Sequence, residues 1–140
     1  MIGLVLATHG SLGEALILSL NIILGEQDQV EPLSLQVEDD IDEANRRLGE
    51  AVKAADSGDG VLILTDMLGG TPSNLSLSLL ARPGVEVISG VNLPMLLKAT
   101  QTREKHDLAE TAVRVKEHGR SSIVLAREVL EQDVKKTKIR

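Results

Sequence analysis

His9 is the residue of this 140-residue sequence whose chemistry best suits a covalent transfer reaction. It follows an apolar run at residues 1–7 and precedes Gly10 and Ser11. One ring nitrogen of a histidine can act as a nucleophile when the other nitrogen is protonated and held in place. A carboxylate holds it best, because it fixes the tautomer and stabilises positive charge on the ring. The sequence itself assigns neither role to Nδ1 or to Nε2.

The candidate carboxylate is Asp66, which lies in a second segment of small and polar residues at 65–74 (TDMLGGTPSN). It is the only acidic residue of that segment, and it closely follows a short apolar run. A solvated turn residue is the simple alternative. The functional interpretation requires Asp66 to orient the His9 ring, so the fold must bring the two segments together.

Both segments also carry residues suited to holding phosphate oxygens. Gly69 and Gly70 let backbone amides approach an anion closely. Thr71 is predicted to be the N-cap of the following helix, so that its hydroxyl and the free amides of that helix end face the phosphate. Gly10 and Ser11 offer the same groups at the start of the first helix. Two helix N-termini are therefore expected to converge on one anion.

Apolar runs alternate with amphipathic segments along the chain. The strands are predicted at residues 1–7, 30–37, 61–64, 85–91 and 122–126. The helices are predicted at residues 11–24, 39–55, 72–80, 94–100 and 104–118. Ser11 and Glu14 have the spacing of a capping box at the start of the first helix. Gly25 and Gly119 are predicted to end the first and the last helix.

This alternation predicts an α/β domain with a doubly wound, mainly parallel sheet. Pro32 lacks an amide hydrogen and therefore places the second strand at an edge, which makes 2-1-3-4 the expected strand order. Ligands of such sheets bind where the winding reverses, here between strands 1 and 3. The segments of His9 and Asp66 meet at that point, which favours a functional site over an ordinary loop histidine. His106 and His118 lack this setting and are predicted to be solvated.

Composition restricts the function further. The chain has no Cys, which excludes disulfides, thiolate metal sites and cysteine catalysis. It has no Phe, Tyr or Trp and a formal net charge of -6, and both features argue against a nucleic-acid partner. No apolar run is long enough to span a bilayer, and residues 1–7 follow no basic region of the kind that begins a signal peptide. A cytoplasmic protein without membrane insertion is expected.

The two segments resemble those of the enzyme IIA component of the mannose-type sugar phosphotransferase system. The resemblance rests on the sequence THG at residues 8–10, after an N-terminal strand, and on residues 65–74. Residues 24–27 (LGEQ) and 90–96 (GVNLPML) are also similar to the family, and the likeness runs from residue 1 to about residue 130. The sequence GGTP at residues 69–72 favours the sugar-transport branch over a related branch that serves dihydroxyacetone kinases.

The resemblance implies a role for each of these residues. His9 would be phosphorylated on Nε2 by the carrier protein HPr and would pass the phosphate to a IIB component, while Nδ1–H is held by Asp66. Thr71 stands where the family has a serine or threonine near the phosphate. The transfer itself would need no metal or other cofactor. The family also implies a homodimer in which an antiparallel fifth strand, here residues 122–126, is exchanged between two subunits.

The expected organisation is a single phosphotransfer domain at residues 1–130 and a basic C-terminal tail at residues 131–140. Many relatives continue into a IIB domain, whereas this sequence stops at Arg140. IIB is therefore expected to be a separate protein. Met67 and Leu68 are expected to form an apolar part of the surface that docks partner proteins. The alternative function is a regulatory module, whose phosphorylation state at His9 is sensed by a kinase, a transporter or a transcription factor. The sequence predicts neither the sugar nor a role for the tail.

Overall fold

The chain folds into strands and helices that alternate along most of its length. The computed structural model describes the backbone of residues 1–139 and the side chains of residues 1–134. The strands are β1 (Gly3–His9), β2 (Val30–Leu35), β3 (Val61–Thr65) and β4 (Val85–Ser89). The helices are α1 (Leu12–Leu24), α2 (Ile41–Ala55), α3 (Thr71–Leu77), α4 (Leu93–Thr102), α5 (Leu108–Ser121) and α6 (Ala126–Ile139), with a short 3-10 turn at Ser78–Ala81.

The four strands form one parallel sheet in the order β2-β1-β3-β4, which confirms the predicted architecture and strand order. Pro32 lies on the edge strand β2, as its missing amide hydrogen requires. The winding reverses between the neighbours β1 and β3, where Ala7 pairs with Thr65. The residues that follow these two strands therefore meet at one edge of the sheet.

Helices cover both faces of the sheet, so the two central strands are buried along nearly their whole length. On one face, Val5 of β1 belongs to a core that α2 closes with Leu48. On the other face, Leu6 belongs to a core to which α4 contributes Leu96 and α5 contributes Val115. Burial on both faces explains why β1 and β3 are apolar at successive positions instead of alternating ones.

Gly119 does not end α5, contrary to the prediction. The helix continues to Ser121, with Gly119 buried inside it. A Cβ atom at Gly119 would lie 2.5 Å from Cγ of Met95 on α4. The glycine therefore allows α4 and α5 to pack closely, and its role is in helix packing, not in helix termination.

The predicted fifth strand at residues 122–126 is not formed in this chain. Ser122 caps the end of α5, residues 123–125 belong to no helix or strand, and Ala126 begins α6. Ile123 and Val124 are exposed to 79% and 65%. A strand needs a neighbouring strand for its backbone hydrogen bonds, and the described sheet ends at β4. An exchanged strand is therefore an expectation for two assembled chains and not a feature of one chain.

The sequence also does not predict α6, which occupies Ala126–Ile139. The expected basic tail at residues 131–140 thus begins inside a helix, and its side chains from residue 135 onward lie outside the described residues. Along the described backbone, no helix combines the length and apolar character needed to cross a membrane.

Candidate functional site

His9 is the last residue of β1, at the edge of the sheet where the winding reverses. Its side chain is 44% exposed, whereas the preceding residues of the strand are buried. β1 lies between β2 and β3; its pairing with β3 ends at Ala7, and its pairing with β2 continues to His9, which is opposite Leu35. The side chain of His9 is therefore accessible while the strand that carries it is buried.

Asp66 directly follows β3 and contacts His9 through two hydrogen bonds. The backbone N–H of His9 donates to Oδ2 of Asp66 at 3.0 Å, and Nδ1 of the His9 ring lies 2.8 Å from the same oxygen. The other carboxylate oxygen, Oδ1, accepts the backbone N–H of Met67 at 3.0 Å. The structure therefore places the predicted carboxylate in direct contact with the predicted nucleophile.

The surroundings of Asp66 favour its ionised form. Burial of the carboxyl opposes ionisation, but the hydrogen bonds from the backbone and ring of His9 outweigh burial and hold the pKa of Asp66 below its ordinary value of 3.8. An ionised carboxylate only accepts hydrogen bonds, so the proton of a neutral His9 ring belongs on Nδ1. The lone pair of the ring is then on Nε2, the nitrogen turned away from Asp66.

Gly70 lies against that side of the His9 ring. A Cβ atom at Gly70 would be 2.5 Å from Cε1 and 2.9 Å from Nε2 of His9, so only glycine fits at this distance. Gly69 has a φ of 95°, a left-handed conformation that also favours glycine. The glycine pair therefore brings backbone, with no intervening side chain, next to Nε2 of His9.

Thr71 is not the N-cap of α3, contrary to the prediction. Gly70 occupies the cap position, and Thr71 is the first residue of the helix, with an exposed side chain. Because glycine has no side chain, no side chain caps this helix end. The boundary shifts by one residue, but the start of α3 still lies next to His9 through Gly70.

The first turn of α1 follows His9 directly, through Gly10 and Ser11. Gly10 has a φ of 55°, and its backbone N–H donates to the carbonyl of Leu35 at 2.8 Å. Ser11 is exposed, and its side chain makes no capping hydrogen bond. The predicted capping box is therefore wrong, since Glu14 instead accepts a hydrogen bond from the hydroxyl of Ser34 at 3.0 Å.

Thr8 provides the capping interaction that Ser11 does not, and the sequence analysis did not assign it this role. Its hydroxyl oxygen accepts the backbone N–H of Gly13, in the first turn of α1, at 2.8 Å. Thr8 is fully buried, whereas none of the residues predicted to act at this site is. The sequence signal for this role is a threonine that directly follows the apolar run at residues 1–7, because a hydroxyl buried there needs a hydrogen-bond partner.

Exposed apolar side chains surround this end of the sheet. Met67 is exposed to 55% and Leu68 to 71%, and both follow Asp66 in the chain. Leu12, the first residue of α1, is also exposed and was not among the predicted docking residues. Of the other two histidines, His106 lies away from this site. His106 lines a separate cavity with Asp59, near the start of β3 and thus at the opposite edge of the sheet.

The arrangement defines a class of protein: a doubly wound α/β domain with an exposed, carboxylate-oriented histidine at its switch point. Residues 3–116 match the family model EIIA-man, described as PTS system fructose IIA component. The chain therefore belongs to the enzyme IIA family of the mannose-type sugar phosphotransferase system (PTS).

Two curated relatives illustrate the family. The chain is 31% identical to the "PTS system mannose-specific EIIAB component" of Escherichia coli over 104 residues, which cover 74% of this chain. That alignment spans 32% of the relative, about a third of its length. The chain is also 29% identical to the "PTS system fructose-specific EIIA component" of Bacillus subtilis, over 94% of this chain and 91% of the relative.

Solved structures show the same fold. The phosphotransferase system component EIIA of Streptococcus agalactiae superposes with a TM-score of 0.83, at 26% identity, over 91% of this chain and 99% of that one. The mannose/sorbose-specific IIA subunit of Enterococcus faecalis superposes with a TM-score of 0.80, at 27% identity, over 89% and 93%. The relatives and neighbours are PTS IIA components, which supports a phosphotransferase role for the family.

Proposed function

We propose that this chain is a cytoplasmic phosphocarrier of a mannose-type sugar PTS. It accepts a phosphoryl group from phospho-HPr on His9 and passes it to a IIB component. The observation that carries the proposal is the contact of 2.8 Å between Nδ1 of His9 and the carboxylate of Asp66, which leaves Nε2 as the nucleophile.

The reaction is a transfer between two nitrogen atoms. The lone pair on Nε2 of His9 forms a bond to phosphorus as the bond between phosphorus and the histidine of HPr breaks, and the electron pair of that bond returns to the HPr ring. The His9 ring gains positive charge, which the Asp66 carboxylate stabilises through Nδ1–H. Transfer to IIB repeats the step in the opposite sense, with Nε2 as the leaving group. The protein contributes position and electrostatic stabilisation.

The phosphoryl oxygens are assigned to backbone amides and hydroxyls on both sides of His9. Gly70 lies against the His9 ring, and Gly69 and Thr71 are its neighbours in the chain. Gly10 and Ser11 approach from the start of α1. Helix N-termini bind anions because their first amides lack partners within the helix. These five residues form the proposed phosphate-binding part of the site.

Partner proteins are proposed to dock on the exposed apolar residues Met67 and Leu68, and Leu12 extends this surface on the other side of His9. The same surface must accept HPr and IIB in turn, so it is expected to be shallow. No sugar is assigned to the chain, because the names of its relatives refer to mannose, fructose and sorbose. The family resemblance implies that the sugar is bound by the membrane components and not by IIA.

The homodimer that the family implies is also part of the proposal. The outer edge of β4 is free within the described sheet, and the apolar residues Ile123, Val124 and Leu125 are exposed close to the end of α5. An exchanged strand formed by residues 122–126 would place these side chains against the partner's sheet. Dimer formation would therefore bury an apolar segment that one chain leaves in water.

Phosphorylation by HPr tests the role of His9. The wild-type chain is expected to take up labelled phosphate from phospho-HPr, and His9→Ala is expected to take up none. His106→Ala and His118→Ala are matched controls, because they remove the other two histidines and should be labelled normally. Labelling of His9→Ala would overturn the assignment.

A second measurement tests Asp66 and the carrier role. Asp66→Asn should be folded, by circular dichroism, but should be labelled more slowly by roughly one to two orders of magnitude, because an amide stabilises the charged ring less well. Labelled wild-type protein should then lose its phosphate to a IIB protein. Stable phosphorylation without transfer to any IIB protein would contradict the carrier role and favour the regulatory function.

A further inference from the structure

Thr8 is the residue directly before His9, and its hydroxyl is buried next to the start of α1. The side chain is completely buried, on the strand that carries the nucleophile. Buried hydroxyl groups are hydrogen-bonded in most proteins, because an unpaired one is costly. The partner here is the backbone N–H of Gly13, whose nitrogen lies 2.8 Å from Oγ1 of Thr8.

This hydrogen bond connects β1 to α1 across the turn that contains His9. Gly13 is the second residue of α1, so its N–H is one of the groups that the helix cannot pair internally. An N-cap residue at Ser11 would normally supply the acceptor, but Ser11 makes no such bond. Because Thr8 performs this function, the exposed hydroxyl of Ser11 is not used in capping.

Close packing around Gly13 shows that the connection is tightly fitted. A Cβ atom at Gly13 would lie 3.1 Å from Oγ1 of Thr8 and 3.1 Å from the carbonyl oxygen of Leu6. The helix therefore approaches β1 more closely than a side chain at position 13 would readily allow. The contact between Thr8 and Gly13 therefore lies where the first turn of α1 approaches β1.

Two further hydrogen bonds hold the same turn. The backbone N–H of His9 donates to Asp66 at 3.0 Å, and the N–H of Gly10 donates to Leu35 at 2.8 Å. These bonds connect the turn to β3 and β2, and the bond of Thr8 connects it to α1. Without the Thr8 hydroxyl, the first turn of α1 would lose its side-chain hydrogen bond to β1.

We infer that Thr8 is a positioning residue for phosphoryl transfer, acting through the first turn of α1. This inference rests on the proposed phosphocarrier function. Thr8 touches neither HPr nor the phosphoryl group, since it is buried. Its loss is therefore expected to lower kcat for phosphorylation of His9 while the KM for phospho-HPr stays the same.

The test compares Thr8→Val, which keeps the shape but removes the hydroxyl, with Thr8→Ser, which keeps the hydroxyl. Thr8→Val should lower kcat by roughly tenfold at unchanged KM, because small displacements of positioned groups slow transfer strongly. Thr8→Ser should restore kcat to close to the wild-type value, because the serine hydroxyl can accept the same N–H. The amide proton of Gly13 should exchange with solvent faster in Thr8→Val than in the wild type or in Thr8→Ser.

The outcomes separate the two proposals. A wild-type chain that phospho-HPr cannot label overturns the proposed function, and the role of Thr8 fails with it. A labelled wild type with an equally fast Thr8→Val, or a Thr8→Ser as slow as Thr8→Val, overturns the role of Thr8 alone. If Thr8→Val does not fold, Thr8→Ala replaces it in the comparison with Thr8→Ser, and the same contrast is required.

Discussion

At the scale of single residues, one carboxylate oxygen holds His9, the proposed nucleophile, through two hydrogen bonds. Oδ2 of Asp66 accepts from both the backbone and the ring of His9, at 3.0 Å and 2.8 Å. The first bond fixes the position of the residue, and the second fixes the rotation of the ring about its side-chain bonds. Nε2 is thereby held in one place before any partner binds, which reduces the entropy lost on reaching the transition state.

The lowered pKa of Asp66 predicts how this pair affects stability in acid. Because the folded carboxyl binds its proton more weakly than the unfolded one, the unfolded state takes up more protons as the pH falls. The contribution of the pair is therefore complete above the ordinary pKa of 3.8 and is lost as the pH falls through the lower folded value. Urea unfolding of wild type and Asp66→Asn from pH 6 to pH 3 measures it.

The expected result is a stability advantage of the wild type over Asp66→Asn that shrinks in the most acidic samples. The difference between the two proteins is the relevant quantity, because the other carboxyl groups titrate in both. A difference that stays constant over the whole pH range would show that the ionised carboxylate does not stabilise the fold.

Gly70 predicts a second effect at the residue scale. Gly70→Ala would place a methyl group 2.5 Å from Cε1 and 2.9 Å from Nε2 of His9, so the ring or the loop must move. Labelling by phospho-HPr is expected to slow by roughly tenfold or more, because the reacting nitrogen leaves its oriented position. Gly49→Ala is the matched control, since a Cβ at that position would meet no atom within 4 Å apart from its chain neighbours and the local backbone of its own helix. Equal rates in Gly70→Ala and wild type would contradict this role of the loop.

At the scale of the elements, the hydrophobic pattern predicts strands and helices well where burial decides the structure. β1 and β3 are apolar throughout because both faces are covered, and the sequence shows this directly. Element ends are predicted less well, because their hydrogen-bond partners come from distant parts of the fold. Ser11 looks like a cap by local spacing, yet the acceptor is Thr8 on the neighbouring strand.

Glycines show the same limit of local reasoning. Gly25 ends α1 as predicted, with a φ of 83° that favours glycine. Gly119 looks similar in the sequence but lies within α5, where it makes room for Met95. Nothing in the local sequence distinguishes the two roles, because the second depends on how α4 and α5 pack against each other.

At the scale of the elements, alanine substitutions at Gly3 and Gly49 are expected to change the free energy of unfolding in opposite directions. A Cβ at Gly3 would lie 2.2 Å from the carbonyl oxygen of Ala55, at the contact between β1 and α2. Gly3→Ala is therefore expected to lower the free energy of unfolding by about 1–3 kcal/mol. Gly49→Ala, inside α2 with open space around it, should raise it by roughly 0.5–1 kcal/mol. Urea unfolding measures both, and changes of the same sign would contradict the packing shown at one of the two sites.

At the scale of the whole molecule, the site is assembled from two parts of the chain that are distant in sequence. The strand order places the ends of β1 and β3 side by side. The predicted topology is therefore enough to place His9 next to Asp66. Topology does not determine the structure of the C-terminal region in the same way. Residues 122–126 are apolar enough for a strand, but a strand forms only where a partner edge is available.

At the largest scale, the proposed strand exchange predicts that the protein is a dimer. If residues 122–126 cross between two subunits, Val124→Asp brings a carboxylate into an apolar contact and should shift a dimer towards monomers. Val37→Asp is the control, because Val37 is exposed to 96% on the loop after β2 and should leave the dimer intact. Sedimentation equilibrium at micromolar concentration distinguishes one chain from two. A monomeric wild type, or a Val124→Asp that remains dimeric, would contradict strand exchange while leaving the chemistry of His9 unaffected.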